Sequence, residues 1–147
     1  MRYYHDPVFP VRLALITTES EYIRTVGVHK AEDYPFPSPG CAMTMLVGTT
    51  KSSGILIFVV IDDLATGEGC TEFEKMLTLV HEAVHVKQYA LGELGETGVG
   101  AETEAYLIGA YTKYLCTELV YRRDKRAAQR KKTLLAKRKA KENVNQS

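Results

Sequence analysis

The longest unbroken apolar run in the chain is Ile55-Leu56-Ile57-Phe58-Val59-Val60-Ile61. Seven residues fall far short of the roughly 20 that a membrane-spanning helix requires, so the expectation is a protein with no transmembrane segment. β-Branched and aromatic side chains dominate the run, which makes Gly54 to Ile61 a strand. Met43 to Thr49 is β-rich in the same way, and the polar Thr50-Lys51-Ser52-Ser53 between the two predicts a β-hairpin. Upstream, Val11 to Thr17 reads as a further strand. Thr18-Glu19-Ser20-Glu21 has the form of a capping box, and Gly27 stands where a short helix would stop. All five prolines precede Gly40, and Tyr34 to Gly40 is an extended loop.

Beyond the hairpin, Asp62 to Gly69 is polar and glycine-containing, hence a loop. Thr71-Glu72-Phe73-Glu74 is a second capping box, followed by apolar residues at helical spacing: Phe73, Met76, Leu77, Val80, Val84 and Leu91. That stripe is the expected core face of a long helix closed by Gly92. Glycines 92, 95, 98 and 100 mark a connection, and a second helix should begin near Ala101 and run to at least Tyr121. The expected order is β-α-β-β-α-α with a tail, an α+β chain.

Charge divides the chain more sharply than its total of +1 suggests. Residues 1–121 carry 8 Lys/Arg against 16 Asp/Glu, a net of −8, whereas residues 122–147 carry 11 against 2, a net of +9. The expected organisation is therefore a domain over 1–121 and a basic C-terminal tail over 122–147. Arg122 to Arg126, Arg130 to Lys132 and Lys137 to Lys141 are basic clusters, suited to nucleic acid or to an acidic protein surface. No aromatic residue follows Tyr121, so base stacking is not on offer there. Cys41, Cys70 and Cys116 are scattered and odd in number, which suggests reduced, mostly buried thiols. The opening Met1 to Pro7 lacks the apolar stretch of a secretory leader. Together these predict a cytoplasmic protein without membrane partners.

Inside the first long helix stands His81-Glu82-Ala83-Val84-His85. Residues four apart lie one turn above each other, so both imidazoles can reach one ion. Glu82 is rotated about 100° from His81, beside a metal rather than beneath it, which is the place for a general base acting on a zinc-activated water. The stripe through Phe73, Val80 and Val84 would leave His81 and His85 on a neighbouring, more open face. A catalytic zinc usually takes three protein ligands and keeps an open position. No third histidine follows His85, so a carboxylate of the second helix is expected to complete the set. Glu102 shares a stripe with the small Ala105, Gly109, Thr112 and Cys116, and is favoured as ligand. Glu104 shares a stripe with Ile108, Tyr111 and Leu115 and would support a ligand histidine, or exchange roles with Glu102. Tyr106, one turn past Glu102, is the candidate transition-state stabiliser, although Tyr106, Tyr111 and Tyr114 also suit packing. His5 and His29 read as loop or surface histidines.

His81 to His85 followed by Glu102-Thr103-Glu104-Ala105 resembles the zincin metallopeptidases, in the gluzincin branch whose third ligand is often carried as Glu-x-x-Ala. In size the chain is similar to very small zincin-like proteins of phage and bacterial genomes. The resemblance implies a short mixed sheet packed on the HExxH helix. It also implies an antiparallel edge strand, here Met43 to Thr49, that pairs with extended substrate above the zinc. The implied activity is hydrolysis of peptide bonds in a peptide or protein substrate, with Zn2+ on His81, His85 and Glu102 and with Glu82 as base. Two other classes compete with it: a zinc-binding protein without hydrolytic activity, and a nucleic-acid-associated module acting through Arg122 to Lys141.

Overall fold

A computed structural model describes residues 1–50 and 54–144. Strands β1 (Tyr4–His5), β2 (Val11–Ile16), β3 (Ala42–Thr50) and β4 (Gly54–Ile61) form one open sheet in the order β1-β2-β4-β3. β2 and β4 run parallel, while β1 and β3 are antiparallel to their neighbours, so the sheet is mixed and β3 lies at an edge. Helices α1 (Glu19–Val26), α2 (Val28–Asp33), α3 (Glu72–Glu93) and α4 (Ala101–Val144) complete the α+β fold. The expected strands, capped helices and hairpin pairing are present; β1 and α2 were not anticipated. Lys51 to Ser53 of the expected turn lie outside the described residues.

The apolar run of β4 is explained by burial on both faces of the sheet. Ile55, Ile57, Val59 and Ile61 join Leu13 and Leu15 against α3 and α4. Phe58 and Val60 point the other way, joining Ala14, Ile16, Tyr22 and Met45 beneath α1 and α2. Period-2 alternation therefore runs through the strands although no polar residue marks it. Gly54 opens β4 at φ +70°, and a Cβ there would collide with the carbonyl oxygen of Pro10, which accepts a 2.7 Å hydrogen bond from Ile55 N–H. That bond ties β4 to the start of β2.

The core face of α3 differs from the expected stripe. Leu79, Ala83, Val86 and Ala90 are fully buried, whereas Phe73, Leu77 and Val80 are exposed at 70%, 52% and 39%. The buried line has ideal helical spacing, and its alanines let the helix sit close to the sheet; bulk was a poor guide to facing. Leu107, Tyr111, Leu115 and Leu119 form the corresponding buried line of α4. Cys70 is buried and Cys116 half-buried, but Cys41 is exposed, against the expectation of mostly buried thiols; all three are free.

α4 continues without a break through Tyr121 to Val144, a span of about 66 Å at 1.5 Å per residue. Three arginines past Tyr121 are pinned to the body. Arg122 bonds Glu21 at 2.7 Å and Glu118 at 2.9 Å, and Arg123 bonds Asp63 at 2.6 Å and Glu72 at 3.0 Å. Arg126 pairs with the same Asp63. From Ala127 to Arg138 every side chain is exposed. Among the described residues, no helix is long and apolar enough to cross a membrane.

Candidate metal centre

The rotational setting of α3 is fixed at its start and along its core face. Thr71 caps the helix by accepting from Glu74 N–H at 3.2 Å, and the Glu74 carboxylate accepts in return from Thr71 N–H at 2.9 Å. The Thr71 hydroxyl and amide hold the Glu74 carboxyl below its ordinary pKa. With Ala83 turned into the core, Glu82 projects about 100° to one side and His81 about 100° further round. Glu82 accordingly lies buried beneath β3, His81 is exposed and His85 is half-buried.

β3 supplies the partner that a buried carboxylate needs. Ala42 and Leu46 pack on the α3/α4 side of the sheet, and Thr44 between them shares their face. The Thr44 hydroxyl donates to Glu82 Oε2 at 2.6 Å, a short bond of the charge-assisted kind. Glu82 is 5% exposed, so this contact is made away from bulk water.

His81 Nε2 and His85 Nε2 lie 3.0 Å apart, their rings nearly perpendicular at 81°. His85 Nδ1 lies 3.0 Å from Gln88 Oε1. An amide oxygen only accepts, so in this pairing neutral His85 donates from Nδ1 and turns its Nε2 lone pair toward His81 Nε2. That is the tautomer needed for ligation through Nε2. One ligand atom from each of His81, Glu82 and His85 lies within 4.8 Å of the others. Two nitrogens on a tetrahedral zinc, at 2.0–2.1 Å from it, would be separated by about 3.3 Å, close to the spacing seen here. The donor set, two imidazoles beside a carboxylate, also suits zinc.

The carboxylates expected from α4 stand elsewhere. Glu102 is exposed and is not part of the group formed by His81, Glu82 and His85. Glu104 forms an ion pair with Lys87 at 3.3 Å. Lys87 lies two residues past His85, about 160° away round the helix by the shorter path, so Glu104 sits on the opposite flank of α3 from the imidazoles. Tyr106 is 53% exposed and borders a cavity with Arg2, Tyr4 and Tyr114, on the side of α4 facing the N-terminal segment. His5 lies in β1 at the far edge of the sheet, and His29 is an exposed residue of α2 beside Glu32 at 3.5 Å.

Two residues of the site were missed in the sequence. Gln88 had a local signal, since it follows His85 by one helical turn. Thr44 had a weaker one: it is the polar member of the inward series Ala42, Thr44, Leu46, visible only once the facing of β3 is known. Comparison with protein families, curated proteins and solved structures finds no match to this chain.

Proposed function

We propose that the protein is a zinc-dependent hydrolase of peptide bonds, with His81 and His85 holding the ion and Glu82 acting as the general base. The observation that carries this reading is the position of Glu82: buried, held by Thr44 of the edge strand, and adjacent to two imidazoles that share one face of α3. When bound, zinc would supply Lewis acidity, polarising a carbonyl and lowering the pKa of water toward ~7. The remaining work belongs to the chain. The outer edge of β3 offers main-chain donors and acceptors to an extended peptide, which would add as a further strand. Thr44 fixes one oxygen of Glu82 and with it the direction of the carboxylate. Glu82 takes a proton from the attacking water and returns it to the leaving amine, a contribution of typically 10²–10⁴-fold. Gln88 keeps His85 in its ligand tautomer.

A second reading, a metal-binding protein without hydrolytic activity, draws on the same distances. With all three donor groups within 4.8 Å, Glu82 can serve as a ligand itself. Metal analysis and cleavage of a mixed peptide library separate the two. Wild type should hold about one zinc per chain, lost in His81→Ala. Glu82→Gln should keep zinc and lose cleavage by at least 10²-fold, and Glu102→Gln should keep both. Loss of zinc in Glu82→Gln would favour the non-hydrolytic centre, and a wild type that takes up no zinc would end both readings.

A further inference from the structure

The ion pairs of α4 divide its basic residues into two populations. Arg122, Arg123 and Arg126 are engaged by Glu21, Glu118, Glu72 and Asp63 and serve the fold. Arg130, Lys131, Lys132, Lys137 and Arg138 are exposed, and none forms an ion pair among the described residues. Between Ala127 and Arg138 there is no acidic residue at all. Ala127 to Val144 extends the helix by about 27 Å beyond the last arginine that touches the body.

The arrangement of charge around this arm is uneven. At about 100° per residue, Gln129, Thr133, Ala136 and Ala140 (spaced by four, three and four) fall on one stripe free of charge. Lys132 borders the stripe on one side, and Lys137 and Arg130 border it on the other. Lys131 and Arg138 lie on the back. A flat acidic surface would engage one side of such a helix and gain nothing from cations placed on both flanks of an uncharged stripe. A groove between two rows of phosphates meets both flanks at once. The major groove of B-form DNA is about 12 Å wide and admits one helix, whereas that of duplex RNA is too narrow. The stripe carries amide, hydroxyl and methyl groups, which suit base edges on a groove floor. Without an aromatic residue past Tyr121, the arm has no platform for unpaired bases.

We infer that the free arm of α4 binds duplex DNA in the major groove, with the Gln129, Thr133, Ala136 and Ala140 stripe toward the floor and Arg130, Lys132 and Lys137 on the flanking phosphates. This activity is independent of the metal centre, because every residue it uses lies past Arg126.

The test measures binding of the full chain to a 24-base-pair duplex between 50 and 200 mM NaCl. Three flanking contacts give a log–log salt slope of at least about −2.7, a loss of about 40-fold in affinity across that range. The flank variant Arg130→Gln/Lys132→Gln/Lys137→Gln should lose about 2.7 from the slope, with an unchanged circular dichroism spectrum. The back variant Lys131→Gln/Arg138→Gln should lose much less. Equal losses in the two variants would overturn the groove placement. Tighter binding to single-stranded DNA, to duplex RNA, to polyglutamate or to anionic phospholipid vesicles would overturn duplex DNA as the partner, as would no binding at 50 mM NaCl.

Discussion

A carboxylate removed from water needs hydrogen-bond donors if it is to keep its charge, and Glu82 is 5% exposed with the Thr44 hydroxyl at 2.6 Å. Replacing Thr44 by valine keeps the shape of the side chain and deletes that donor. The expected cost is about 1–3 kcal/mol of stability, read from urea denaturation, because a buried acceptor is left short of a partner. Zinc content should be unchanged, since His81 and His85 are untouched, while cleavage should fall at least tenfold as Glu82 loses its orientation. Thr44→Ser should restore both. A Thr44→Val protein that cleaves at the wild-type rate would remove Thr44 from the site. The histidine pair and Glu82 were legible in the sequence because their geometry is local: five consecutive residues on a helix fix their own relative directions. Thr44 is 38 residues from Glu82, and its contact depends on strand facing. Whether Glu102 or Glu104 could approach the histidines depended on which flank of α3 receives α4, and the Lys87–Glu104 pair marks the flank away from them.

At the level of elements, Asp63 ties three parts of the fold together. It follows β4, its side chain is fully buried, and it meets Arg123 and Arg126 of α4 as well as Lys75 of α3 at 3.9 Å. The Lys75 ammonium also donates to the carbonyl oxygens of Asp63 at 2.9 Å and Ala65 at 2.7 Å, which fixes the loop leading into α3. Asp63→Asn removes the only carboxylate that pairs with Lys75 among the described residues and leaves a buried ammonium uncompensated. Breaking a buried pair on one side costs about 3–5 kcal/mol, so thermal or chemical denaturation should show a loss in that range. A loss under 1 kcal/mol would mean that the carbonyl oxygens alone satisfy Lys75. This junction could not be read from the sequence, where Asp62-Asp63 is an ordinary acidic loop and Lys75 an ordinary helix cation. The strand and helix starts were legible because Thr18 and Thr71 cap through short-range bonds. The core face of α3 was not, because Ala83 and Ala90 gain their burial from close approach to the sheet rather than from their own size.

Over the whole molecule, the acidic body and the basic C-terminal segment meet inside α4 rather than at its end. Sequence charge placed the division at Tyr121, but Arg122, Arg123 and Arg126 answer carboxylates of α1, the Asp63 loop, α3 and α4 itself. Charge composition has no means of telling a solvated arginine from one whose partner lies a hundred residues upstream, as Glu21 does for Arg122. The ion pairs to the body end at Arg126, and two truncations distinguish a division there from one at Tyr121. A chain ending at Gln129 keeps every one of these pairs and should melt within about 2 °C of the full chain, retain its zinc and lose DNA binding. A chain ending at Tyr121 leaves Asp63 facing Lys75 alone and strips Glu21 of Arg122. At about 3 kcal/mol and 2–4 °C per kcal/mol for a domain of this size, it should melt roughly 6–12 °C lower. Equal melting temperatures for the two truncations would return the boundary to Tyr121 and make the three arginines part of the arm.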